Sequence, residues 1–395
     1  MKEKARLSRK PNRFLWYVPG NIVRLWYKTK VKFRREKVEL NDRAIFLCPH
    51  RNYFDCIIYP MAIYPKWVHI VSTSYWYRNK RLGKFLDTLG CIKKDQFKSD
   101  LISIRQMSEC LSLNEPIMMF PEGQMGADSR TQNLVPGLEK FIKKYEPHVY
   151  VIHSRGAYAV RPKWAKNMRK GHVYTYITHL YSPDDIKKTD KDTILKTISD
   201  EMKKDDDLLW LKEHKEEKYV SRRKAEGLEK ALVYCPVCHT EKALHTEKNH
   251  LSCECGFHLE FEKTSYRFLP NEYGFEDLYD LFNLEYNLIA QDIKNNIVLE
   301  DECNIVEYGP ENDIPHNYTK VRMTLEKITF IGPDGSLDLD LDKIISFIVT
   351  LGVAFEVPTS DGTYRVKLKD GKRAIHYWYL LKYLKENSHE STDQQ

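Results

Sequence analysis

A histidine and an aspartate stand five residues apart at the end of an apolar run. The run AIFLC covers residues 44–48, and the stretch CPHRNYFD that completes it contains His50 and Asp55. Five residues rotate a helix by about 500°, so the two side chains could not share a helix face. They can meet only if His50 precedes a helix and Asp55 lies in its first turns. An imidazole oriented by a carboxylate is a general base, so the spacing predicts proton transfer at a strand-to-helix turn.

A second stretch with chemical potential follows another apolar run. The strand-like segment PIMMF leads into PEG, which supplies Glu122 and Gly123. Gly123 lets the backbone approach a ligand closely. The carboxyl ends of parallel strands are where α/β proteins keep their sites, so both stretches are expected to face one site. Taken alone, a histidine at a strand end is more often a satisfied structural residue than a base.

Together the two stretches resemble motifs of the glycerophospholipid acyltransferase family, which includes the lysophosphatidic acid acyltransferases. The family motif N-H-x4-D is similar to PHRNYFD, with His50 and Asp55 in place and Pro49 where the family has asparagine. The family motif F-P-E-G-T-R-S is similar to FPEGQMG at residues 120–126. The resemblance covers about residues 12–205. It implies an α/β fold with a mixed sheet flanked by helices.

The resemblance also implies a reaction. A fatty acyl group would move from the thioester of coenzyme A or acyl carrier protein to a hydroxyl of a glycerol-phosphate or lysophospholipid acceptor. His50 would be the general base, oriented by Asp55, while Glu122 and Gly123 would help to place the acceptor. The attack would be direct, without an acyl-enzyme. The alternatives are a lipid-binding scaffold without activity and a zinc-ribbon module that binds nucleic acid or protein.

The chain departs from the family where phosphate is recognised. The arginine expected after FPEG is missing, and the family's second motif is represented by GCIKKD, with Lys93 and Lys94 where an arginine is usual. Lys93 is therefore a candidate for the acceptor's charge, although a lysine lacks the bidentate fork of an arginine. The arginines that could take over this role are Arg51, Arg130, Arg155 and Arg161. Of these, Arg51 is the one expected in the substrate site.

Four of the nine cysteines are grouped. Cys235 and Cys238 form C-x2-C, and after fourteen residues Cys253 and Cys255 form C-x-C. Two such knuckles supply four thiolates for a tetrahedral, structural zinc ion of the ribbon type. The ribbon segment is not strongly basic, which disfavours nucleic acid as a partner.

The basic residues are concentrated at the N-terminus. Residues 1–37 hold 13 Lys or Arg against two Glu, mixed with the aromatic and aliphatic residues of FLWYV and IVRLWY. Such a mixture predicts that residues 12–30 lie on a phospholipid surface, and a helix packed on the core is the alternative. No apolar window is long enough to span a bilayer and no leader peptide is recognisable. We therefore expect a cytoplasmic protein, peripheral on the inner face of the membrane.

The order of apolar runs and charged stretches predicts five segments. They are a basic aromatic arm (1–40), an acyltransferase domain (41–206), a charged helical linker (207–232), a zinc ribbon (233–262) and a β-rich C-terminal module with a closing helix (263–395). Strands that alternate with helices in the second segment indicate an α/β layer with a largely parallel sheet.

Overall fold

The computed structural model describes residues 11–98, 100–309 and 312–387. The first ten residues of the basic arm therefore lie outside the described residues. Contacts divide the chain into two compact units. The first runs up to Lys163 and also takes Arg169–Val220, and the second consists of Trp164–Met168 and the chain from Ser221 onward.

The first unit is built on a seven-stranded sheet. Its strands are β1 (Val31–Arg35), β2 (Ala44–Leu47), β3 (His69–Thr73), β4 (Ile92–Lys94), β5 (Ile117–Met119), β6 (His148–Arg155) and β7 (Gly171–Tyr181), in the spatial order β1-β7-β6-β2-β5-β3-β4. Neighbouring strands are parallel except β6 and β7, which are antiparallel. The predicted mixed α/β sheet is confirmed, and β1 joins it from within the stretch assigned to the N-terminal arm.

Helices cover both faces of this sheet. They are α1 (Arg13–Lys30), α2 (Asp55–Ile63), α3 (Lys80–Thr88), α4 (Leu101–Ser112), α5 (Leu138–Tyr145), α6 (Ala157–Val160), α7 (Pro183–Lys188), α8 (Lys191–Lys203) and α9 (Asp207–Glu213). Strand β2 is buried along its whole length, and its side chains alternate between two cores. Ile45 and Leu47 pack with α4, α5 and α8, whereas Ala44 and Phe46 pack with α1 and α2. This burial on both faces is why the strand reads as a continuous apolar run.

Helix α1 has one face buried against the first unit and an opposite, exposed face that is also apolar. Asn12 caps its N-terminus by accepting a hydrogen bond from the Leu15 backbone at 3.2 Å. Trp16 and Tyr27 are buried against the unit. The opposite face is apolar rather than charged, and its exposed side chains are Phe14, Val18, Ile22 and Leu25. Within the described part of the chain, no helix has the length and apolarity that a membrane-spanning helix needs.

The second unit contains a three-stranded and an eight-stranded antiparallel sheet. The small sheet comprises β8 (Leu244–Glu247), β9 (His250–Cys253) and β10 (His258–Glu260). Helix α10 (Leu278–Lys294) follows. The large sheet comprises β11 (Leu299–Tyr308), β12 (Asp313–His316), β13 (Lys320–Met323), β14 (Lys327–Gly332), β15 (Gly335–Asp340), β16 (Ile348–Thr350), β17 (Ala354–Pro358) and β18 (Thr363–Leu368). Helix α11 (Ala374–Asn387) closes the module, and residues 374–381 are buried. The expected strand-rich C-terminal part is confirmed.

The stretch 207–232, expected to be a charged helical linker, begins with a helix and buries several of its apolar residues. Its first part is α9, whose Leu208 and Leu211 are buried within the first unit. Its last part belongs to the second unit, where Leu228 and Leu232 are buried. This charged stretch contains few apolar residues, but those few are buried.

Candidate functional site

His50 and Asp55 meet at the turn between β2 and α2. Asp55 is the first residue of α2, and its Oδ2 lies 2.8 Å from Nδ1 of His50. The same oxygen accepts hydrogen bonds from the backbone N–H groups of Arg51 at 2.7 Å and Asn52 at 2.9 Å. Asp55 is buried, so these charge-assisted hydrogen bonds hold the turn in one conformation. The contact expected from the spacing is present.

The imidazole of His50 is fixed at one nitrogen and open at the other. Because a carboxylate only accepts, Nδ1 donates to Asp55 and Nε2 carries the lone pair. Nε2 has no hydrogen-bond partner among the described residues, and 29% of the side chain is exposed. The ring packs on Phe120, with the ring centroids 4.7 Å apart. An oriented imidazole with an accessible basic nitrogen can remove a proton from a bound hydroxyl.

Glu122 is buried behind the backbone of the His50 turn and does not lie on the exposed side of the imidazole. Its Oε1 accepts from the His50 backbone N–H at 3.0 Å, and Oε2 accepts from the Gln132 backbone N–H at 2.9 Å. The guanidinium of Arg51 donates to both oxygens, at 2.9 and 3.0 Å. Both charged groups are fully buried. The Glu122 carboxylate thus fixes the backbone that carries His50.

The guanidinium of Arg51 donates hydrogen bonds to several groups. Besides Glu122, it donates to Oγ1 of Thr131 at 2.7 Å, and that hydroxyl donates to the Met202 carbonyl at 2.8 Å. Burial works to lower the pKa of Arg51, but the adjacent carboxylates, Glu122 above all, raise it overall. Arg51 therefore stays charged in the interior, as one half of a buried ion pair. The structure places it away from the surface that a substrate could reach.

Gly123 occupies a backbone conformation and a space that only glycine fits. Its φ is +74°, and a Cβ there would lie 2.8 Å from the ring of Phe97 and 3.0 Å from Val135. The Gln96 side chain donates to the Gly123 carbonyl at 2.5 Å. The turn after Glu122 is therefore closed by the segment that follows β4.

Lys93 lies apart from the His50 turn. It is exposed on β4 and lines a cleft of about 560 Å³ together with Tyr77, Lys84 and Asp95. The residues that line this cleft include none from the His50 turn or from FPEG. The structure thus brings Arg51, Glu122 and Gly123 together around His50, and does not bring Lys93 to them.

A second histidine–aspartate contact escaped the sequence analysis. His153 is fully buried on β6, and its Nδ1 lies 2.8 Å from Oδ2 of Asp205, just after α8. Its Nε2 is within hydrogen-bond distance of Glu201 at 3.0 Å and Thr178 at 3.1 Å. A histidine at the end of the otherwise apolar run VYVIH was the available signal, but its carboxylate partners lie about fifty residues further along the chain.

The four predicted zinc ligands converge in the second unit. The sulfur atoms of Cys235, Cys238, Cys253 and Cys255 all lie within 4.8 Å of one another. The Cys235–Cys255 and Cys238–Cys253 pairs are 3.6 and 3.8 Å apart. A tetrahedral zinc with Zn–S bonds of 2.3 Å requires sulfur atoms about 3.8 Å apart, so the four residues fit the ion. Two further groups of potential ligands occur among the described residues, His69, Cys110 and Glu115 inside the first unit and His250, His258 and Glu260 on the ribbon.

Comparison with known proteins agrees with the first motif assignment. Residues 30–153 match the family model described as Acyltransferase. This range carries the His50 turn and FPEG and ends before the ribbon. The acyltransferase resemblance drawn from the two motifs is confirmed over these residues. No curated protein sequence matches the chain.

Three solved structures are similar to parts of the chain. The 1-acyl-sn-glycerophosphate (LPA) acyltransferase PlsC from Thermotoga maritima is 14% identical, with a TM-score of 0.40 over 47% of this chain and 74% of that chain. The N-terminal PH domain of human ARAP2 is 13% identical, with a TM-score of 0.20 over 23% of this chain and 81% of that one. The C-terminal domain of an unknown protein from Leishmania infantum is 15% identical, with a TM-score of 0.17 over 27% and 99% of the two chains.

Proposed function

We propose that this protein is an O-acyltransferase that moves a fatty acyl group from an acyl thioester to a hydroxyl of a glycerol-phosphate or lysophospholipid acceptor. The observation that carries the proposal is the His50–Asp55 contact with its open Nε2, inside a domain that matches the acyltransferase family. The donor would be an acyl-coenzyme A or an acylated carrier protein.

The proposed reaction is a direct transfer. Nε2 of His50 takes the proton from the acceptor hydroxyl while its oxygen attacks the thioester carbonyl. The C–S bond then breaks, the ester forms, and the sulfur leaves as a thiol that carries the proton returned by the imidazolium. Asp55 stabilises that imidazolium through the Nδ1 hydrogen bond. Cys48, next to this turn, is no nucleophile, because burial raises the pKa of its thiol well above the usual value.

Glu122 and Arg51 are proposed to act on the reaction through position. Neither charge is exposed, and the Glu122 carboxylate fixes the His50 backbone, so their loss would displace the base. This differs from the direct acceptor contact expected from the sequence. Gly123 contributes the tight turn that places Glu122 there. Lys93, expected to meet the acceptor's phosphate, has no proposed part in the transfer, because its cleft lies apart from the turn.

Thiol release from an acyl thioester, measured with and without a lysophospholipid acceptor, tests the proposal. The wild-type chain should release thiol faster with the acceptor. His50→Ala should remove acceptor-dependent release, since general-base catalysis contributes about 10²–10⁴ in rate. If His50→Ala and Asp55→Asn both stay folded with near-normal turnover, the proposal is wrong and a lipid-binding scaffold becomes the better account.

Helix α1 is proposed to attach the protein to the membrane surface. Its exposed stripe of Phe14, Val18, Ile22 and Leu25 is apolar, and the same helix carries cations that can pair with anionic headgroups. Vesicles with anionic phospholipid should carry the chain upward in a flotation gradient, less so at high salt because surface charges are screened. A variant in which Phe14, Val18, Ile22 and Leu25 are all replaced by glutamine, and which floats equally well, would contradict this attachment.

The four cysteines are proposed to hold one structural zinc ion. Four thiolates leave no open position on a tetrahedral ion, so its contribution would be to folding. Such sites contribute on the order of 10 kcal/mol or more to local folding. Metal analysis of protein purified without chelator should give about one zinc per chain. A ratio near zero, together with unchanged stability of Cys235→Ser, would contradict the assignment.

A further inference from the structure

One face of the small sheet in the second unit carries two histidines and a glutamate side by side. His250 lies on β9, and His258 and Glu260 lie on the neighbouring antiparallel strand β10. Glu260 is paired with His250, and His258 comes two residues before Glu260, so the pleat puts all three side chains on one face. Leu251 and Leu259 take the opposite face and are buried. The three polar side chains therefore lie together where an ion from solution can reach them.

The ligand atoms of the three side chains are spaced for a metal ion. Nδ1 of His250 lies 3.3 Å from Nε2 of His258 and 3.9 Å from Oε2 of Glu260. One ligand atom from each residue lies within 4.8 Å of the other two. A tetrahedral zinc ion with Zn–N bonds of about 2.0–2.1 Å requires nitrogen atoms about 3.3 Å apart, which is the spacing of the two imidazoles. Glu260 is partly exposed, so a small rotation brings its carboxylate to the same ion.

A metal ion fits between the two imidazoles better than a hydrogen bond does. Their nitrogen atoms are 3.3 Å apart, slightly beyond the usual hydrogen-bond range of about 2.7–3.2 Å. Without a metal, one ring must donate a hydrogen to the other, because two facing lone pairs or two facing N–H groups repel each other. A metal ion removes this requirement since it binds both lone pairs. The adjacent Glu260 carboxylate adds a negative charge that attracts a cation.

The group of potential ligands inside the first unit does not offer the same opening. His69 is fully buried, its Nδ1 lies 2.7 Å from the Gly90 carbonyl oxygen, and its Nε2 lies 2.9 Å from Oε2 of Glu115. Both ring nitrogens are thus engaged by protein groups at ordinary hydrogen-bond distances. The group on the small sheet is accessible and its rings are more loosely paired, so it is the better site for an added ion.

We propose that His250, His258 and Glu260 bind a divalent transition metal ion, zinc or an ion of similar chemistry, at a site separate from the four cysteines. Imidazole nitrogens suit zinc, nickel and copper, whereas magnesium and calcium prefer oxygen ligands. Three protein ligands leave one position of a tetrahedral ion for water or an external ligand, unlike a site of four thiolates. The ion joins the edge strand β10 to β9. The proposal does not depend on the acyl transfer.

Zinc titration of the full chain by isothermal calorimetry, starting from protein purified without chelator, tests the proposal. The wild type should bind one more zinc ion per chain than His258→Gln or Glu260→Gln. Each substitution removes one ligand and should weaken the site at least about 100-fold, since even the loss of an outer-shell partner costs about 10–100-fold. The difference between wild type and variants isolates this site whatever the occupancy of the four cysteines. Excess magnesium should leave the difference unchanged.

His179→Gln is the matched control. Nε2 of His179 lies 3.1 Å from Nδ1 of His148, and among the described residues no third ligand completes that pair. This variant should bind as much zinc as the wild type. Thermal unfolding without added zinc should be the same for all variants, because the replaced side chains are at least partly exposed. A variant with a lower melting temperature is replaced by His250→Gln.

The titrations can overturn the proposal in two ways. It is wrong if His258→Gln and Glu260→Gln bind as many zinc ions as the wild type with the same affinity. It is also wrong if His179→Gln loses the additional ion, because the zinc would then bind to the first unit.

Discussion

Two histidines of the first unit have the same carboxylate contact and opposite surroundings. His50 meets Asp55 and His153 meets Asp205, in both cases with 2.8 Å between Nδ1 and Oδ2. They follow or lie on neighbouring strands, β2 and β6. The contact with an aspartate alone therefore cannot tell which of them is suited to proton transfer.

The second nitrogen separates them. Nε2 of His153 is satisfied by Glu201 and Thr178, and its ring stacks on Tyr176 with centroids 4.3 Å apart. His153 lies between two carboxylates and is fully buried, which suits a structural role. Nε2 of His50 has no hydrogen-bond partner among the described residues, and the side chain is partly exposed. The comparison teaches that a general base is recognised by the nitrogen its surroundings leave unoccupied.

The aspartates give the largest expected contrast. Asp55→Asn should lower turnover by up to about 10⁴, because an amide can stabilise the wrong tautomer and gives the imidazolium no counter-charge. Asp205→Asn should lower turnover by less than about tenfold at a temperature where it is folded, since its histidine has no part in the transfer. Steady-state thiol release and thermal unfolding of both variants measure the difference. Equal losses of turnover would show that the two contacts are not functionally distinct.

The histidines should show the reverse contrast in stability. His153→Gln removes a fully buried ring that is hydrogen-bonded to Asp205, Glu201 and Thr178, so it should lower the free energy of unfolding by about 2–3 kcal/mol. His50→Gln removes a partly exposed ring, so its cost should stay below about 1 kcal/mol. Urea denaturation of the two variants provides the values. A larger loss for His50→Gln would mean that its ring is mainly a structural element.

Substitution of Gly123 tests the turn that places Glu122 against the backbone of His50, a support that His153 does not have. Gly123→Ala should cost about 2–4 kcal/mol, from the positive φ together with the overlap of the new methyl group with Phe97. Gly137 is the matched control, because its φ is +93° and a Cβ there meets nothing within 4 Å. Gly137→Ala should cost only the strain of the backbone, about 1 kcal/mol, and keep activity. Melting temperatures that fall equally would show that the contact with Phe97 carries no weight.

Glu285 extends the comparison to a buried carboxyl that has no cationic partner among the described residues. It accepts hydrogen bonds from the backbone of Val233 and Tyr234, and burial raises its pKa to about 8. The folded state then holds a proton that the unfolded state loses above about pH 4.3, so stability should fall as the pH rises and level off above about 8. The slope is at most about 1.4 kcal/mol per pH unit. Glu285→Gln should unfold with a weaker pH dependence between pH 6 and 9, and an identical dependence would show that Glu285 is ionised throughout.

The sequence was most informative where the chemistry is local. His50 and Asp55 are five residues apart, and Pro49 and the apolar run define the turn between them, so their contact could be predicted. The four cysteines likewise lie within one short segment. In contrast, Arg51 pairs with Glu122, which follows the neighbouring strand β5 and is 71 residues away in sequence, and no pattern near residue 51 showed that its charge would be buried.

Strand β1 and Lys93 show the same limit. The basic residues around Val31–Arg35 indicated a surface arm, yet the segment pairs with β7, which lies 140 residues further along the chain. Lys93 lies at the position of a family motif in the sequence. In the structure it lies on β4, and its side chain lines a separate cleft. Both outcomes depend on which strands become neighbours, and hydrophobic periodicity does not encode that.

The stripe of Phe14, Val18, Ile22 and Leu25 also governs how the protein behaves in solution without lipid. These side chains form a continuous apolar strip along one helix, and water-exposed strips of this kind tend to find another apolar surface. In dilute buffer, the available surface is the same strip on another molecule. The purified chain should therefore sediment as concentration-dependent aggregates that mild detergent disperses, and one polar substitution in the strip, Ile22→Gln, should reduce them.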